Sequence, residues 1–298
     1  MIDQARNVRA PRFLAPVTFL FVGVLSQQAA AQTPATTGNT EVASSGFQPI
    51  VKPPPPEDAN DGTQLKLTAG GLLTQGNSRT IAATASSDFR LRRNVSQFTA
   101  LAAVNYGRSA PAGDGPYETT VENYQGKVRY DYFFAPGVAG FLSVSARRDR
   151  FQGLDLRLNF DPGVAYYFID EKEQQLWFEL GYDLQHDINR DEIIEAAALD
   201  PTLQPIPKSE TNHSVRAFLG YNYAFNETLA FNTSVEYLQS VEEGKDARLN
   251  FDGGLTTKVS QTFSVAMTMS VRYDNDPLEG VEKTDLITAL NLVYSLAQ

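Results

Sequence analysis

Strict alternation of apolar and polar residues is the feature that most constrains how this chain folds. About twelve such stretches lie between Thr63 and Leu296. In the stretch that begins near Glu122, the apolar set is Tyr124, Gly126, Val128, Tyr130, Tyr132 and Phe134, and the polar set between them is Gln125, Lys127, Arg129 and Asp131. A period of two is that of a β-strand, whose successive side chains point to opposite faces. The sequence therefore predicts an all-β fold.

Aromatic residues gather near the ends of these stretches. The even-numbered stretches carry Tyr132, Phe134, Tyr166, Phe168, Tyr223, Phe225 and Tyr294 near their ends, and the odd-numbered ones carry Tyr106, Tyr182, Tyr237 and Tyr273. Antiparallel pairing brings the two groups to opposite edges of the sheet, which matches the two aromatic girdles of an outer-membrane barrel. The alternative is a soluble sheet in which aromatics are common only because they favour strands.

The connections between the stretches alternate in length. The short ones are residues 93–96, 135–137, 170–174, 226–227 and 260–262, and the long ones are residues 108–119, 188–208, 241–246 and 275–283. We place the brief turns at Gly76-Asn77-Ser78 and Gln152-Gly153 on the long-loop side. Such barrels have short periplasmic turns and longer external loops. The pattern predicts a closed antiparallel transmembrane β-barrel over residues 63–298, an up-and-down meander of about twelve strands.

The first residues predict export. Arginines at positions 6, 9 and 12 precede an apolar run from Phe13 to Leu25, and alanines follow at 29–31. This is the pattern of a secretory signal peptide, so we predict a signal peptide over residues 1–31. Residues 32–62 are rich in alanine, threonine, serine and proline, and they predict a disordered proline-rich periplasmic spacer.

Charge and cysteine content exclude some functions. The formal net charge is -10 and the sequence pI is about 4.8, whereas nucleic-acid binding needs a basic surface. The chain has no cysteine, so neither disulfides nor thiolate metal sites hold the fold.

Charged residues on the polar faces are predicted to point into the barrel lumen. The candidates are Lys127, Arg129, Arg147, Asp149, Asp155, Arg157, Glu179, Asp183, Arg216, Arg248, Asp252 and Arg272. Four of them flank the Gly153 turn and are expected to converge there: Arg147, Asp149, Asp155 and Arg157. One interpretation is a salt-bridged network that closes the lumen, and the other is a constriction that selects ions or small solutes. The even mixture of signs favours the network, since structural ion-pair clusters are common.

Catalysis and metal binding find little support. The two histidines are His186 and His213. In Asn212-His213-Ser214 the imidazole and the hydroxyl would point to opposite faces of a strand, so we predict that the protein is not an enzyme.

Acidic residues crowd two long loops. One loop has Asp274, Asp276, Glu279 and Glu282, and the other has Asp191, Glu192, Glu195 and Asp200. Neither follows calcium-loop spacing, so no metal or cofactor is predicted. Residues 191–199 predict a short helix that ends before Pro201, and the loop over residues 188–209 could fold over the barrel mouth.

Two motifs carry a resemblance to a known family. The first is Gly76, Asn77 and Ser78, and the second continues from Asp131-Tyr132-Phe133-Phe134 to Asp149, Arg150, Phe151, Gln152, Gly153, Leu154 and Asp155. Both resemble the YdiY-like family of salt-induced outer-membrane proteins, a domain of unknown function (481). The resemblance implies an outer-membrane barrel of Gram-negative bacteria and implies no ligand or activity.

The expected function is a narrow or gated channel for ions or small solutes, linked to salt or envelope stress. A non-conducting structural or stress-response envelope barrel is the alternative, and an outer-membrane lipid-modifying enzyme is the least favoured. The expected location is the cell outer membrane of a Gram-negative bacterium, with the spacer in the periplasm. The expected partners are outer-membrane lipid and lipopolysaccharide, the barrel-insertion machinery, and small ions or solutes, but not nucleic acid.

Overall fold

The computed structural model describes residues 62–74, 79–110, 115–171, 173–199, 205–242, 244–275 and 283–297. The predicted signal peptide over residues 1–31, the predicted spacer up to residue 61 and the Gly76-Asn77-Ser78 turn lie outside the described residues.

The described chain is a closed antiparallel barrel of twelve strands, which confirms the predicted fold class. The strands are β1 (Gly62–Thr74), β2 (Arg79–Arg93), β3 (Ser96–Ala110), β4 (Glu118–Ala135), β5 (Val138–Asp149), β6 (Leu154–Asp170), β7 (Gln174–Asn189), β8 (Ser209–Ala224), β9 (Leu229–Ser240), β10 (Ala247–Lys258), β11 (Phe263–Asp274) and β12 (Thr284–Ala297). Each strand pairs with the next, and β12 closes the barrel on β1 from Gln64↔Ala297 to Gly70↔Asn291. Closure leaves no open sheet edge, which the interior of a membrane requires.

The alternation in sequence becomes two unlike barrel surfaces. On β4, Tyr130 is 48% exposed and Tyr132 is 49% exposed, whereas Asp131 between them is 0% exposed. Large apolar residues are likewise exposed around the outside, while most charged residues face the interior. An outward apolar band with aromatic girdles is what lipid favours, so the barrel crosses a membrane with its polar faces turned inward.

The tight turns contain the residues that accept a left-handed backbone. Asn94 has φ 50° between β2 and β3, and Gly137 has φ 70° between β4 and β5. Asparagine and glycine tolerate this region best. A Cβ atom on Gly137 would also lie 3.0 Å from the carbonyl oxygen of Tyr167.

The structure differs from the sequence expectation at the start of β6. The pairing of β6 with β7 is irregular between Leu154 and Leu156. A bulge of this kind re-aims the side chain of the extra residue. Asp155 is therefore 40% exposed and lies 3.2 Å from Arg190 of the following long loop, instead of meeting Arg147 and Arg157 inside the lumen.

The long loop after β7 contains the helix that its sequence predicted. Helix α1 spans Asp191–Leu199, and Ala197 is its buried residue. Among the described residues, no helix combines the length and apolar character needed to cross a membrane.

Candidate functional site in the barrel lumen

An ionic connection crosses the lumen from β4 to β7. On β4, Arg129 donates from Nε and Nη2 to Oδ1 of Asp131 at 2.9 and 2.6 Å. Its Nη1 donates to Oε1 of Glu179 on β7 at 2.7 Å. Strands β5 and β6 lie between these two elements in the barrel, so the arginine side chain spans the interior instead of bridging neighbours on the wall.

The connection continues from β7 to β10. Arg216 on β8 donates Nη1 to Oε2 of Glu179 at 2.8 Å and Nε to Oε1 of Glu236 on β9 at 2.5 Å. Asn250 on β10 then donates to Oε2 of Glu236 at 2.9 Å. We call the alternating series Asp131, Arg129, Glu179, Arg216 and Glu236 the lumen ion chain.

Burial explains why the signs alternate in the lumen ion chain. The side chains of Glu179 and Arg216 are 3% and 4% exposed. Each buried charge is costly unless a partner of opposite sign and further hydrogen bonds compensate it. Glu179 accepts from two guanidinium groups, and the indole Nε1 of Trp177 donates to it at 3.2 Å. The charges of the lumen ion chain thus compensate one another, and the chain links β4, β7, β8 and β9 across one half of the lumen.

An arc of inward aromatic rings packs beside the lumen ion chain. Phe133 lies 5.7 Å from Tyr167, Tyr167 lies 6.2 Å from Trp177, and Trp177 lies 5.9 Å from Phe218, all between ring centroids. Inward glycines make room for these rings. A Cβ atom on Gly220 would lie 2.2 Å from the Trp177 ring, so only glycine fits there.

Arginines also stack on inward aromatic rings of this half. The guanidinium carbon of Arg129 lies 4.0 Å from the ring centroid of Phe141, and that of Arg216 lies 5.1 Å from Phe218. Such cation–π contacts are worth about 0.5–2 kcal/mol, more when desolvated. Ionic and aromatic contacts together hold these side chains in one arrangement.

Nearer the long loops, the other predicted lumen charges form separate pairs. Arg147 lies 2.8 Å from Asp149, and Arg272 lies 2.8 Å from Asp252. Arg157 donates through two nitrogens to Asp187 on β7, at 2.8 and 2.7 Å. Asp187 was absent from the predicted set, although it follows Asp183 on the same face at strand spacing.

Three further predicted charges have polar or more distant partners. Asp183 accepts from Nδ2 of Asn159 at 2.8 Å. Arg248 reaches from β10 to β7 and donates Nη1 to Oε1 of Gln185 at 2.8 Å. Lys127 faces the lumen on β4 and keeps partial exposure. The structure therefore gathers Arg129, Glu179 and Arg216 of the predicted set into one chain and distributes the others.

The second family motif forms the structured turn between β5 and β6. Oδ1 of Asp149 accepts from the backbone nitrogens of Phe151 and Gln152, both at 3.1 Å. Oε1 of Gln152 accepts from Nη2 of Arg147 at 3.0 Å. Gly153 has φ 68°, and its carbonyl accepts from the backbone nitrogen of Arg190 at 2.8 Å. The motif thus joins this turn to the loop that carries α1.

Charged pairs fix the base of the loop that carries α1. Arg190 lies 2.7 Å from Glu192 as well as 3.2 Å from Asp155, and Lys208 lies 2.7 Å from Asp191. The hydrogen bond from Arg190 lowers the pKa of Glu192. No group of three or more histidine, cysteine, aspartate or glutamate side chains that could hold a metal ion occurs in the described part of the chain. Asp200, Asp276, Glu279 and Glu282 lie outside it.

Both histidines lie on the outward face and contact hydroxyl groups there. Nδ1 of His213 pairs with the Tyr182 hydroxyl, and Nδ1 of His186 lies 2.8 Å from Oγ1 of Thr211. Ser214 points inward and is 0% exposed. His213 and Ser214 therefore occupy opposite sides of the barrel wall, as their adjacency predicted.

The inward residues differ in exposure from strand to strand. The inward residues that keep partial exposure on β1 and β2 are Gln64, Lys66, Thr68, Gly70, Thr80, Ala82, Thr84, Ser86, Asp88 and Arg90. The buried inward residues on β5 and β8 are Ala139, Phe141, Ser143, Arg147, Asp149, Ser214, Arg216, Phe218, Gly220 and Asn222. Inward side chains in the middle of a strand can be exposed only to the lumen. Space therefore remains along β1 and β2, while side chains fill the lumen along β5 and β8. Between those two strands, Arg157, Asn159, Gly163 and Tyr167 of β6 also keep partial exposure.

Comparison with known proteins gives a family match. The uncharacterized protein YdiY of Escherichia coli (strain K12) is 23% identical over 243 residues, covering 81% of this chain and 86% of that protein. Among solved structures, the COG4313 outer membrane channel from Pseudomonas putida F1 matches 85% of this chain and 100% of its own at 12% identity and a TM-score of 0.45. The NanC porin matches 78% and 98% at 8% identity and a TM-score of 0.44. A family model described as a protein of unknown function, DUF481, matches residues 67–296. The chain therefore belongs to the DUF481 family.

Proposed function

We propose that this protein is a narrow outer-membrane channel for ions or small hydrophilic solutes, with an off-centre passage along β1 and β2. The observation that carries the proposal is the contrast in exposure between the inward faces of β2 and β8. The inward face of β2 keeps partial exposure from Thr80 to Arg90, whereas the inward face of β8 is buried from Ser214 to Asn222.

The side chains along the passage suit small hydrated solutes. Thr68, Thr84 and Ser86 place neutral hydroxyls along β1 and β2, and Ser86 is the register partner of Thr68. Nearer the chain termini, Lys66 lies opposite Asp88. Hydroxyls replace part of a solute's hydration without holding it tightly, which permits both entry and exit.

The opposite half of the lumen limits the width of the passage. Barrels of about eight strands are filled by side chains, and those of about sixteen strands hold an aqueous channel. This twelve-stranded barrel has the lumen ion chain and the aromatic arc across one side. Because these side chains occupy part of the lumen, we expect a passage narrower than that of a general porin.

Single-channel recording tests the proposal with a matched pair of substitutions. The full-length barrel is refolded, its folding is checked by heat-modifiable gel migration, and conductance is measured in planar bilayers. Ser86→Trp adds a large ring to the passage, and Ser87→Trp adds the same ring to the outward face of the same strand. We expect the wild type and Ser87→Trp to conduct alike, and Ser86→Trp to lose most of the current. Equal conductance in both variants would contradict the off-centre passage.

The second candidate is a non-conducting envelope barrel. It is favoured by contacts that brace strands across the lumen, since Arg129 reaches from β4 to Glu179 on β7 and Arg248 reaches from β10 to Gln185 on β7. In the same recordings, wild-type protein that is folded but silent at all salt concentrations and voltages would support this function over a channel.

The family resemblance supports a link of either function to salt or envelope stress. We further infer that residues 1–31 direct export and that the following spacer lies in the periplasm. The exposed aromatic residues would face outer-membrane lipid and lipopolysaccharide, and the chain would reach that membrane through the barrel-insertion machinery. We expect protease to cleave the spacer only after the outer membrane has been permeabilised. Cleavage of the spacer in intact cells would contradict this placement.

A further inference from the structure

A row of four inward oxygen-bearing side chains crosses β5 to β8 at one level. Ser143 on β5 is the register partner of Asp161 on β6, and Asp183 on β7 is the partner of Ser214 on β8. Between them, β6 and β7 pair through Phe160↔Leu184 and Gly163↔Gly181. That register puts Asp161 directly opposite Asp183. We call Ser143, Asp161, Asp183 and Ser214 the oxygen row.

Every member of the oxygen row is buried. The exposed fractions are 1% for Ser143, 6% for Asp161, 2% for Asp183 and 0% for Ser214. Among the described residues, nothing hydrogen-bonds to Oγ of Ser143 or Oγ of Ser214. The carboxyl groups of Asp161 and Asp183 are hydrogen-bonded to each other, which requires a proton between them. Buried polar atoms are ordinarily satisfied, so the two unpartnered hydroxyls beside this carboxyl pair point to a further ligand.

The two aspartates have little positive charge around them. The cations that act electrostatically on Asp161 are Lys127 and Arg216, and Arg216 already binds Glu179 and Glu236. Lys127 acts on both Asp161 and Glu236. The proton shared by Asp161 and Asp183 leaves the pair with one negative charge, and a divalent cation could take the place of that proton.

The neighbouring ion pairs do not supply further positive charge. Arg157 is paired with Asp187 at 2.7 Å, and Nε of Arg248 lies 3.8 Å from Asp246. Two ionised carboxylates directly opposite each other on paired strands would repel, and burial would increase the repulsion. A bound cation of charge two would allow both carboxyl groups to ionise in place of the shared proton.

We propose that the oxygen row binds one divalent cation of the Ca²⁺ type. The carboxylates of Asp161 and Asp183 would be its charged ligands, and the Ser143 and Ser214 hydroxyls would complete the oxygen set directly or through water. Ca²⁺ accepts about six to eight oxygen ligands in flexible geometry, whereas Mg²⁺ demands a near-ideal octahedron. Carboxylates and hydroxyls on a fixed β-sheet suit the more tolerant ion. Binding would tie β5, β6, β7 and β8 together inside the barrel wall.

Calorimetry and thermal unfolding of the refolded full-length barrel test this site. The protein is stripped with chelator and titrated with CaCl₂. We expect saturable heat with one site and a rise in melting temperature. Asp161→Asn and Asp183→Asn should each lose both effects, while Asp155→Asn, which changes an exposed acid beside Arg190, should keep them.

A second readout separates cation binding from a purely structural role. In calcium-free buffer, Asp161→Asn should melt at a temperature at least as high as the wild type does, because the asparagine amide can donate to Asp183 in place of the shared proton. If the asparagine variants do not fold, Ser143→Ala and Ser214→Ala supply the test through weaker calcium binding. The proposal is overturned if the wild type shows no saturable calcium binding, or if the substituted proteins bind calcium as tightly as the wild type does.

Discussion

Glu179→Gln is the substitution that perturbs the lumen ion chain most directly. The carboxylate accepts from Arg129 at 2.7 Å and from Arg216 at 2.8 Å. Glutamine keeps the size of the side chain and one acceptor oxygen, but it removes the negative charge between the two guanidinium groups. Arg129 keeps Asp131 and Arg216 keeps Glu236, so neither arginine becomes fully unpaired.

The magnitude follows from burial. Breaking a buried ion pair by removing one partner costs about 3–5 kcal/mol. Because the arginines keep their other carboxylates and the glutamine oxygen still accepts a hydrogen bond, we expect the lower part of that range, about 3 kcal/mol. Glu227→Gln removes an exposed acid in the turn after β8, and surface charges contribute only about 0–1 kcal/mol, so this variant is a suitable control.

The assay is equilibrium unfolding by urea of the barrel in lipid vesicles, and tryptophan fluorescence measures the unfolded fraction. The chain has one tryptophan, and Trp177 contacts Glu179 directly, so the probe reports on the perturbed region. We expect a clearly lower midpoint for Glu179→Gln than for the wild type or Glu227→Gln. If Glu179→Gln destabilises the barrel no more than Glu227→Gln does, the lumen ion chain is not a stabilising network and the reasoning is refuted.

Two glycine substitutions test how the lumen and the outer turn are packed. Gly220→Ala would place a Cβ atom 2.2 Å from Trp177, and we expect a loss of about 1–3 kcal/mol in urea unfolding, as overpacking usually costs. Gly244→Ala, with nothing within 4 Å of its added Cβ, is the control, and equal effects would contradict the packing. Gly153→Ala combines φ 68° with a contact of 2.5 Å to Ile193 of α1. It should release α1 and speed protease cleavage within residues 191–199, and an unchanged cleavage rate would show that the turn does not hold the helix.

Much of the fold could be predicted because a period of two is local information. Tyr130, Asp131 and Tyr132 already alternate in sequence, and lipid on one side and lumen on the other convert that alternation into burial. The tight turns at residues 93–96 and 135–137 could be predicted as well, since strand reversals need residues such as Asn94 and Gly137. Helix α1 was predictable for the same reason, because Pro201 stands just beyond its end.

The partners inside the lumen could not be predicted, because they depend on closure of the barrel. Arg129 and Glu179 are 50 positions apart and on strands that do not pair, so neither periodicity nor register brings them together. The direction in which the Asp155 side chain points depends on a bulge, which alternation alone does not reveal. The opposition of Asp161 and Asp183 depends on the register between β6 and β7, which a shift of one residue would abolish.

The most direct test of the account is the accessibility of single cysteines to a charged, water-soluble thiol reagent in folded barrels in lipid vesicles. The chain has no cysteine of its own, so each substitution reports one position. Ser86→Cys faces the open side of the lumen, Ser87→Cys faces lipid, and Ser214→Cys lies on the filled side. The account predicts rapid labelling at position 86 and slow labelling at positions 87 and 214. Rapid labelling at position 87 would contradict the orientation of the wall, and labelling at position 214 as rapid as at 86 would contradict the one-sided passage.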